Sequence, residues 1–595
     1  MLPVEQPFKT YTGLDGKPLD NGYVYFGEPD QDPITHPVTV YWDAAGTLPA
    51  AQPLRTVNGY IMRAGTPANV FYNGLYSELV RDSKSSQVFY APQSSVFSIA
   101  SVVQDFIEDL AAPLGAVLVG SAVIYAATIA GFNATTIPDG AVIAFAGHTV
   151  ANDGGGGVFT YAEASSQTAD NGLVFAPTGG GRLLRHGWTV FGFNGALSPR
   201  FFGAKGDGTT NDLTALTAVI AAAFASPAPQ VIDLAGGIYL TGQPIEYPAG
   251  SDVTMQNGTL KASGSFPTTR HILECANQSG GLVHHDLKFD NLTIDANHRG
   301  GCLLIDNYIR VTVKDCKLLH FSTSGLWLKK TIDSHEAVVT GCSAFEYLYN
   351  EAGYLTPTPT SVGYQIDSFD NHFVAPVSYY TGTGMVVNAQ YNLIAQAHLG
   401  GSQWALHITA NAAFSTLHQP YIDSGAVLWE NPWNSEIIGG KFLHNTADAS
   451  FSFIVLKPLS ASLAVTGLKV VNSTFHNIGA ALVDSIKVDT SSGSFGLGSV
   501  ANCNISNNSF SNVKQKGTKV RKSLYQNAAT IWTFNFDDDL AFGAVQWVQD
   551  SFYDATNGAP VSRVTSVSGN TVTVTNSVAG NGTVFIEVDA NVGTS

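Results

Sequence analysis

The sequence predicts an all-β chain whose long middle section is a solenoid of stacked coils. Three observations carry this. Glycine is abundant (60), charged residues are few (13%), and there are 33 Phe and 23 Tyr, the profile of many short strands joined by Gly/Asn turns. A polar turn followed by a short apolar strand recurs through residues 201–520. The texture also changes at Phe201-Phe202-Gly203-Ala204-Lys205-Gly206-Asp207-Gly208-Thr209-Thr210-Asn211-Asp212, upstream of which the chain reads as small, separate β units. At 595 residues it is too long for one ordinary core, so several domains are expected.

Residues 1–92 read as a compact β domain. Gly22-Tyr23-Val24-Tyr25-Phe26-Gly27, Val38-Thr39-Val40-Tyr41-Trp42 and Ala68-Asn69-Val70-Phe71-Tyr72 are rich in β-branched and aromatic residues. Asp15-Gly16, Asn58-Gly59 and Asn73-Gly74 are hairpin signals. The first strand, Asp30-Gln31-Asp32-Pro33, Pro37-Val38-Thr39-Val40-Tyr41 and the segment from Gln52-Pro53-Leu54 to Asn58-Gly59 come in an order that resembles the head-binding domain of short-tailed phage tailspikes. That resemblance implies a domain that anchors a homotrimer to a virion through its portal or head-to-tail proteins.

Residues 93–120 predict a helical neck. Val96, Ile99, Val102, Val103, Phe106, Ile107 and Leu110 recur at helical spacing, with Asp105, Glu108 and Asp109 outside. The apolar run 110–130 approaches a membrane span in length, but Pro113, Gly115 and Gly120 interrupt it. It reads as packed neck, with no membrane insertion. The segment from Leu110 to Gly120 resembles a linker common in phage spikes. Residues 121–200 predict a small β adaptor. Gly147-His148-Thr149-Val150, Asp153-Gly154-Gly155-Gly156-Gly157-Val158-Phe159 and Gly179-Gly180-Gly181-Arg182-Leu183 resemble the module that precedes the β-helix in many tail-fibre depolymerases. The glycine run is not a phosphate loop: no GK[ST] follows, and a strand comes next where a helix would be needed.

At 201–212, Gly203, Gly206 and Gly208 suit positive-φ turns, and Asn211 or Asp212 suits the N-cap of an apolar helix at 213–223. That helix would cover the open end of the stacked strands. The stretch resembles the lead-in of pectate-lyase-like right-handed parallel β-helices. Residues 201–520 are then the expected solenoid, its coils echoed by Asp290-Asn291-Leu292, Asp315-Cys316-Lys317, Gly341-Cys342-Ser343 and Asp370-Asn371-His372, and later by Gly440, Asn472 and Asn507 segments. Residues 521–595 predict a C-terminal β domain that locks the trimer, with a hairpin about Ser568-Gly569-Asn570. The acidic Asp537-Asp538-Asp539 reads as a solvated turn.

Composition narrows the function. A net charge of −17 repels phosphate backbones, so nucleic acid is set aside. Cys275, Cys302, Cys316, Cys342 and Cys503 form no CxxC, and an odd, scattered set argues against disulfides or structural zinc. Met1-Leu2-Pro3-Val4-Glu5 has no basic or apolar leader signature. No metal and no cofactor is expected.

As a whole the architecture resembles a phage tailspike, which implies a virion-tail location, action at the host surface and a bacterial surface polysaccharide as substrate. Glycoside hydrolysis needs two carboxyl groups, one to protonate the leaving oxygen and one to activate water or attack carbon. Aromatic faces hold sugar rings. Two constellations offer these. The first is Glu336 with Asp367 and Asp370; its rough spacing resembles that of some tailspike endoglycosidases. Asp370, however, falls where Asp290 and Asp315 fall in their echoes, as a repeated turn aspartate would. The second is Asp423 with Glu430, flanking a groove whose sugar platforms are Trp429 and Trp433, with Tyr421, Trp404 and His407 as further binding residues. Alternatives remain open: a lyase using Lys329, Lys330 or His335 on a uronic acid, or an adhesin without catalysis.

Overall fold

The computed structural model describes residues 8–94, 123–133, 137–189, 192–248, 250, 252–276, 283–460, 465–493, 500–542, 544–554 and 562–590, in two units, 1–121 and 122–595. The expected neck lies outside the described residues except for 93 and 94, which end the strand Gln87–Ser94. Among the described residues no helix is long and apolar enough to cross a membrane.

The first unit is a six-stranded sheet with Tyr23–Gly27 between Leu54–Val57 and Tyr76–Arg81, all antiparallel. Val24, Phe26, Val40, Leu54, Ile61 and Val80 fill its core. The strand expected at 68–72 reduces to one bridge between Tyr41 and Phe71.

The second unit opens on a five-stranded sheet, in which Ile124–Thr128 runs parallel to Val142–Gly147 and the other pairs are antiparallel. Its glycine run wraps a cation. The buried Arg185 guanidinium donates to the carbonyls of Gly155 (2.8 Å), Gly156 (2.6 Å) and Gly172 (2.9 Å), between the rings of Phe159 and Phe201. Carbonyls, not N–H groups, face inward here, so the loop holds a guanidinium and cannot cradle phosphate.

In the lead-in, Gly203, Gly206 and Gly208 take φ of 89°, 59° and 73°. Asp212 stands at the N-cap of helix Leu213–Ala225, but its carboxylate turns back to accept from the N–H groups of Lys205 (2.8 Å) and Gly206 (2.9 Å). Leu216, Val219 and Ile220 of this helix lie buried on the first coil, covering strands that would otherwise end exposed.

From there the chain is a right-handed parallel β-helix. Each coil makes three short strands: a first and a second lane, which together form a 22-stranded sheet, and a third lane forming an 11-stranded sheet. The first two lanes meet at a single residue with positive φ: Asn291, Asp315, Gly341, Ala375, Gln396, Gln419, Gly439, Asn472 and Asn507 in successive coils. Asn and Asp tolerate this region best. A second left-handed column precedes the first lane: Asp286, Arg310, Glu336, Asp370, Tyr391, Phe414 and Asn434. Backbone bonds fix the alignment, for example Arg310 N to His335 O and Phe414 N to Trp433 O. Asp370 is thus a turn residue, as its sequence echo suggests, but at a different turn. It stacks on Glu336 and not in the column of Asp315.

In the interior, identical positions stack coil on coil. Phe442 lies on Phe475 (4.5 Å, 10°) and Phe475 near Phe510 (5.6 Å, 9°). The five cysteines are free, buried thiols. The C-terminal part is an antiparallel sheet of Lys519–Asn535, Thr571–Asp589, Trp547–Asp554 and Arg563–Ser568 over Trp532 and Phe534. Its hairpin turns at 568–571 as expected. In the acidic triplet, Asp539 pairs with Lys522 and Asp537 accepts from Asn535.

Because Phe475 has aromatic neighbours in the coils on both sides, Phe475→Ala should cost about 3–5 kcal/mol. Thermal unfolding against wild type, read by intrinsic fluorescence, checks this; an unchanged midpoint would contradict the stacking.

Candidate active site

Outward side chains at equivalent positions of neighbouring coils lie about 4.8 Å apart, the spacing of paired strands. Residues far apart in sequence therefore form columns, and the expected site residues fall along them.

The first place is the corner where the third lane ends and the first begins. Asp367 closes the third-lane strand Val362–Ile366, and the turn at Asp370 follows. Glu336 occupies the same turn one coil earlier. The structure thus brings Glu336, Asp367 and Asp370 to one corner in two adjacent coils. Glu336 and Asp370 are exposed; Asp367 is half-buried and held by several donors. Its carboxylate accepts from Trp327 Nε1 (2.7 Å), Gln365 Nε2 (2.7 Å) and Asn388 Nδ2 (3.0 Å). One coil before Glu336, Arg310 is bound to Asp286 (3.1 Å), and the charge of Glu336 also acts on it. Beyond Asp370 the turn column becomes aromatic. Tyr391 stacks on Phe414 (4.9 Å, 13°), and Phe414 contacts Trp433 (5.2 Å). Tyr391 and Trp433 are 51% and 42% exposed, so a rail of rings continues the carboxylate edge into solvent.

The column that holds Asp367 continues through Asn388 and Thr409 to Glu430, as the backbone bonds Asn388 N to Ile366 O, Thr409 N to Val387 O and Glu430 N to Ile408 O record. Glu430 accepts from Ala410 N (3.0 Å) and pairs with His407 Nε2 (3.0 Å). Burial pushes the Glu430 pKa up, but the His407 contact and the Ala410 N–H outweigh it and leave it lowered. Three coil steps put Glu430 roughly 14 Å from Asp367. That is too far for the two carboxyls of a glycosidase, which stand about 5–9.5 Å apart. Trp404 lies half-buried in the third lane, its position paired with Thr383.

The second place is the outer face of the second lane. Here Tyr379 Oη contacts His398 Nε2 (2.5 Å) and donates to Asp423 Oδ2 (3.1 Å). His398 stacks on Tyr421 (4.4 Å, 13°). Burial lowers the His398 pKa, and burial with the Asp423 charge raises that of Tyr379. His398 is therefore held neutral and Tyr379 protonated. A groove of about 700 Å³ adjoins this network, lined among others by Gln419, Tyr421, Lys441 and His476. Sequence reasoning misses Tyr379 and His398 as a pair; the signal available is their one-coil spacing.

Two expectations are corrected. Asp423 and Glu430 do not flank one groove: a third-lane strand, Ala426–Trp429, separates them, so one belongs to the second-lane face and the other to the corner after the third lane. Trp429 is no sugar platform, because its side chain points inward in the column of Ile408 and Leu456 and is fully buried. Of the lyase residues, Lys330 lies over Phe369 (3.8 Å), Lys329 pairs with Asp306 (3.3 Å), and His335 is half-buried at the corner beside Glu336 (3.9 Å).

The Tyr379–Asp423 bond reaches across Gly400, which occupies the intervening coil. A Cβ there would lie 1.9 Å from the Asp423 carbonyl oxygen. Gly400→Ala should therefore lower the thermal midpoint and shift the fluorescence of the tyrosine cluster; a variant as stable as wild type would contradict this packing.

Comparison with known proteins locates one module. Residues 126–188 match the model of the phage tail protein small four-stranded beta-sheet domain. The Arabidopsis thaliana polygalacturonase QRT3 is 26% identical over 378 residues, 61% of this chain and 75% of that protein. Among solved structures, the gp42 tailspike of Acinetobacter phage vb_AbaP_AS12 is 13% identical, covering 78% of this chain and 93% of that one at a TM-score of 0.44. The tailspike protein gp49 of Acinetobacter baumannii bacteriophage Fri1, a capsular polysaccharide depolymerase, is 10% identical, covering 79% and 98% at 0.41. The chain thus carries a phage-tail β module ahead of a right-handed parallel β-helix.

Proposed function

We propose that this chain is a phage tailspike that binds a bacterial surface polysaccharide along the corner of its β-helix and cuts it by endo-glycosidic hydrolysis. The observation that carries this is the column in which Glu336 and Asp370 follow one another in adjacent coils and give way to Tyr391 and Phe414, with Trp433, next to the following turn residue, in ring contact with Phe414. Carboxyls on one column lie about one strand spacing apart at the backbone, within reach of the separation that glycosidases use. The aromatic rail would present ring faces to successive sugars. Asp367, fixed by three donors, would orient substrate or water beside the pair. No cofactor enters this chemistry. The likeness to a polygalacturonase supports glycan cleavage, and the phage-tail module supports a place on the virion tail, with action at the host surface.

In this reading residues 1–92 attach the protein to portal or head-to-tail proteins, and the spike is a homotrimer. Exposed Tyr525, Ile531, Trp547, Tyr553 and Phe585 on the C-terminal sheet support self-association.

A second reading is β-elimination on a uronic acid. The Tyr379–His398 contact favours it: a neutral imidazole suits abstraction of the C5 proton, and a protonated tyrosine suits delivery to the leaving oxygen.

Fragments released from host polysaccharide distinguish the readings. Hydrolysis adds one water per cut, whereas elimination yields unsaturated ends that absorb in the ultraviolet. Glu336→Gln and Asp370→Asn should each lower the cleavage rate at least ~100-fold with the trimer intact, the range expected of an acid–base group. Tyr379→Phe should leave it within severalfold; the opposite pattern would move catalysis to the second lane. Trp433→Ala should weaken binding of long oligosaccharides by ~1–2 kcal/mol, measured by calorimetry on an inactive variant, and equal affinity would remove the rail from the account.

A further inference from the structure

A cluster away from both candidate catalytic sites has the chemistry of a metal centre. His298 and His320 stand in the turn between the second and third lanes, one coil apart, with their rings 4.8 Å apart. Glu351 comes from the long excursion between Ser343–Phe345 and Val362–Ile366. Its carboxylate lies 3.2 Å from His320 Nε2 and 3.7 Å from His298 Nε2. One ligand atom from each of the three residues lies within 4.8 Å of the others.

Two features point to a cation. His320 Nδ1 lies 2.8 Å from Asp295 Oδ1, and Asp295 also accepts from Asn297 N (2.9 Å). Donation of Nδ1–H to Asp295 fixes the tautomer, as a carboxylate does for a metal-bound histidine. The second nitrogen faces Glu351, and the two carboxylates raise the His320 pKa, so the position attracts positive charge, which a metal ion would supply in place of a proton. That nitrogen is buried and makes no hydrogen bond, although Glu351 stands near it. A proton on Nε2 would serve His320 and Glu351 alone, whereas His298, in ring contact with His320 and Tyr347, also turns its Nε2 to within 3.7 Å of the same carboxylate. A metal ion answers to all three. Ligands held at about 2.0–2.1 Å around a tetrahedral ion lie roughly 3.3 Å from one another; here Oε2 of Glu351 stands 3.2 Å from His320 and Oε1 3.7 Å from His298, and one atom from each residue lies within 4.8 Å of the others, so a bound ion would draw the three slightly together.

We propose that His298, His320 and Glu351 bind a divalent transition-metal ion of the zinc type, with Asp295 as the positioning residue and a fourth position open to water. The ion staples the excursion to the coil. The excursion is otherwise anchored at its ends by Glu346, which accepts from Thr358 N (3.0 Å) and from the hydroxyl of Ser361. Its Tyr349 and Tyr354 rest on Tyr380, next to Tyr379. Metal binding would therefore fix the wall nearest the second-lane network.

The test uses the full chain, stripped with chelator and titrated with zinc chloride by calorimetry. The expected result is one ion bound per chain, with a rise in the thermal midpoint. His298→Ala and Glu351→Gln should each weaken binding at least ~10-fold while their metal-free melting matches that of metal-free wild type. Asp295→Asn should weaken it less. Absence of saturable binding would overturn the proposal, as would equal affinity in both ligand variants, which would place the ion elsewhere.

Discussion

Everything in the second unit depends on in-register stacking of coils. Parallel strands fix neighbouring backbones about 4.8 Å apart, and one left-handed residue per corner keeps each coil turning at the same point. Where that residue is Asn or Asp the conformation is cheap; at Ala375 or Tyr391 it costs on the order of 1–2 kcal/mol. Continuous burial of Ile, Leu, Val and Phe columns in the interior offsets it. The consequence for function is that chemistry is assembled by columns. Glu336 meets Asp370 and Asp367 meets Asn388 because each pair occupies one position in adjacent coils, whatever its distance along the chain, and His298 meets His320 because both stand in the same turn of adjacent coils.

This geometry explains what can be read from the sequence. The fold class is visible because the turn-and-strand echo recurs and glycines mark the lead-in, where Gly203, Gly206 and Gly208 do adopt positive φ. Alignment of the coils is harder. Each coil has several left-handed corners that accept Asp or Asn, so an aspartate in an echo does not say which corner it occupies; Asp370 echoes Asp315 in sequence yet takes another corner. The excursion after Phe345 lengthens one coil and breaks the spacing. Trp429 reads as a platform because it neighbours Glu430, but alternation along a strand turns one residue inward and the next outward.

The candidate sites show the same limit. Asp423 and Glu430 are near in sequence but are divided by a corner, whereas Tyr379, His398 and Asp423 are distant in sequence and form one network. The cluster of His298, His320 and Glu351 shows no ligand spacing of a known motif, since two of its members come from the same turn of adjacent coils and the third arrives from the excursion. Each of these emerges only when the coils are aligned in register and columns are searched instead of segments.

In the proposed reading two distinct surfaces are candidates for the glycan: a corner with carboxylates and a rail of rings, and a groove with a tyrosine, a histidine and an aspartate. The most direct measurement is a crystal structure of the Glu336→Gln variant with a bound oligosaccharide from the host polysaccharide. If the corner is the cleavage site, the sugars lie across Tyr391, Phe414 and Trp433, with a glycosidic oxygen between the substituted side chain at position 336 and Asp370. Sugars seated instead in the groove beside Tyr379, His398 and Asp423, with the corner bare, would contradict it.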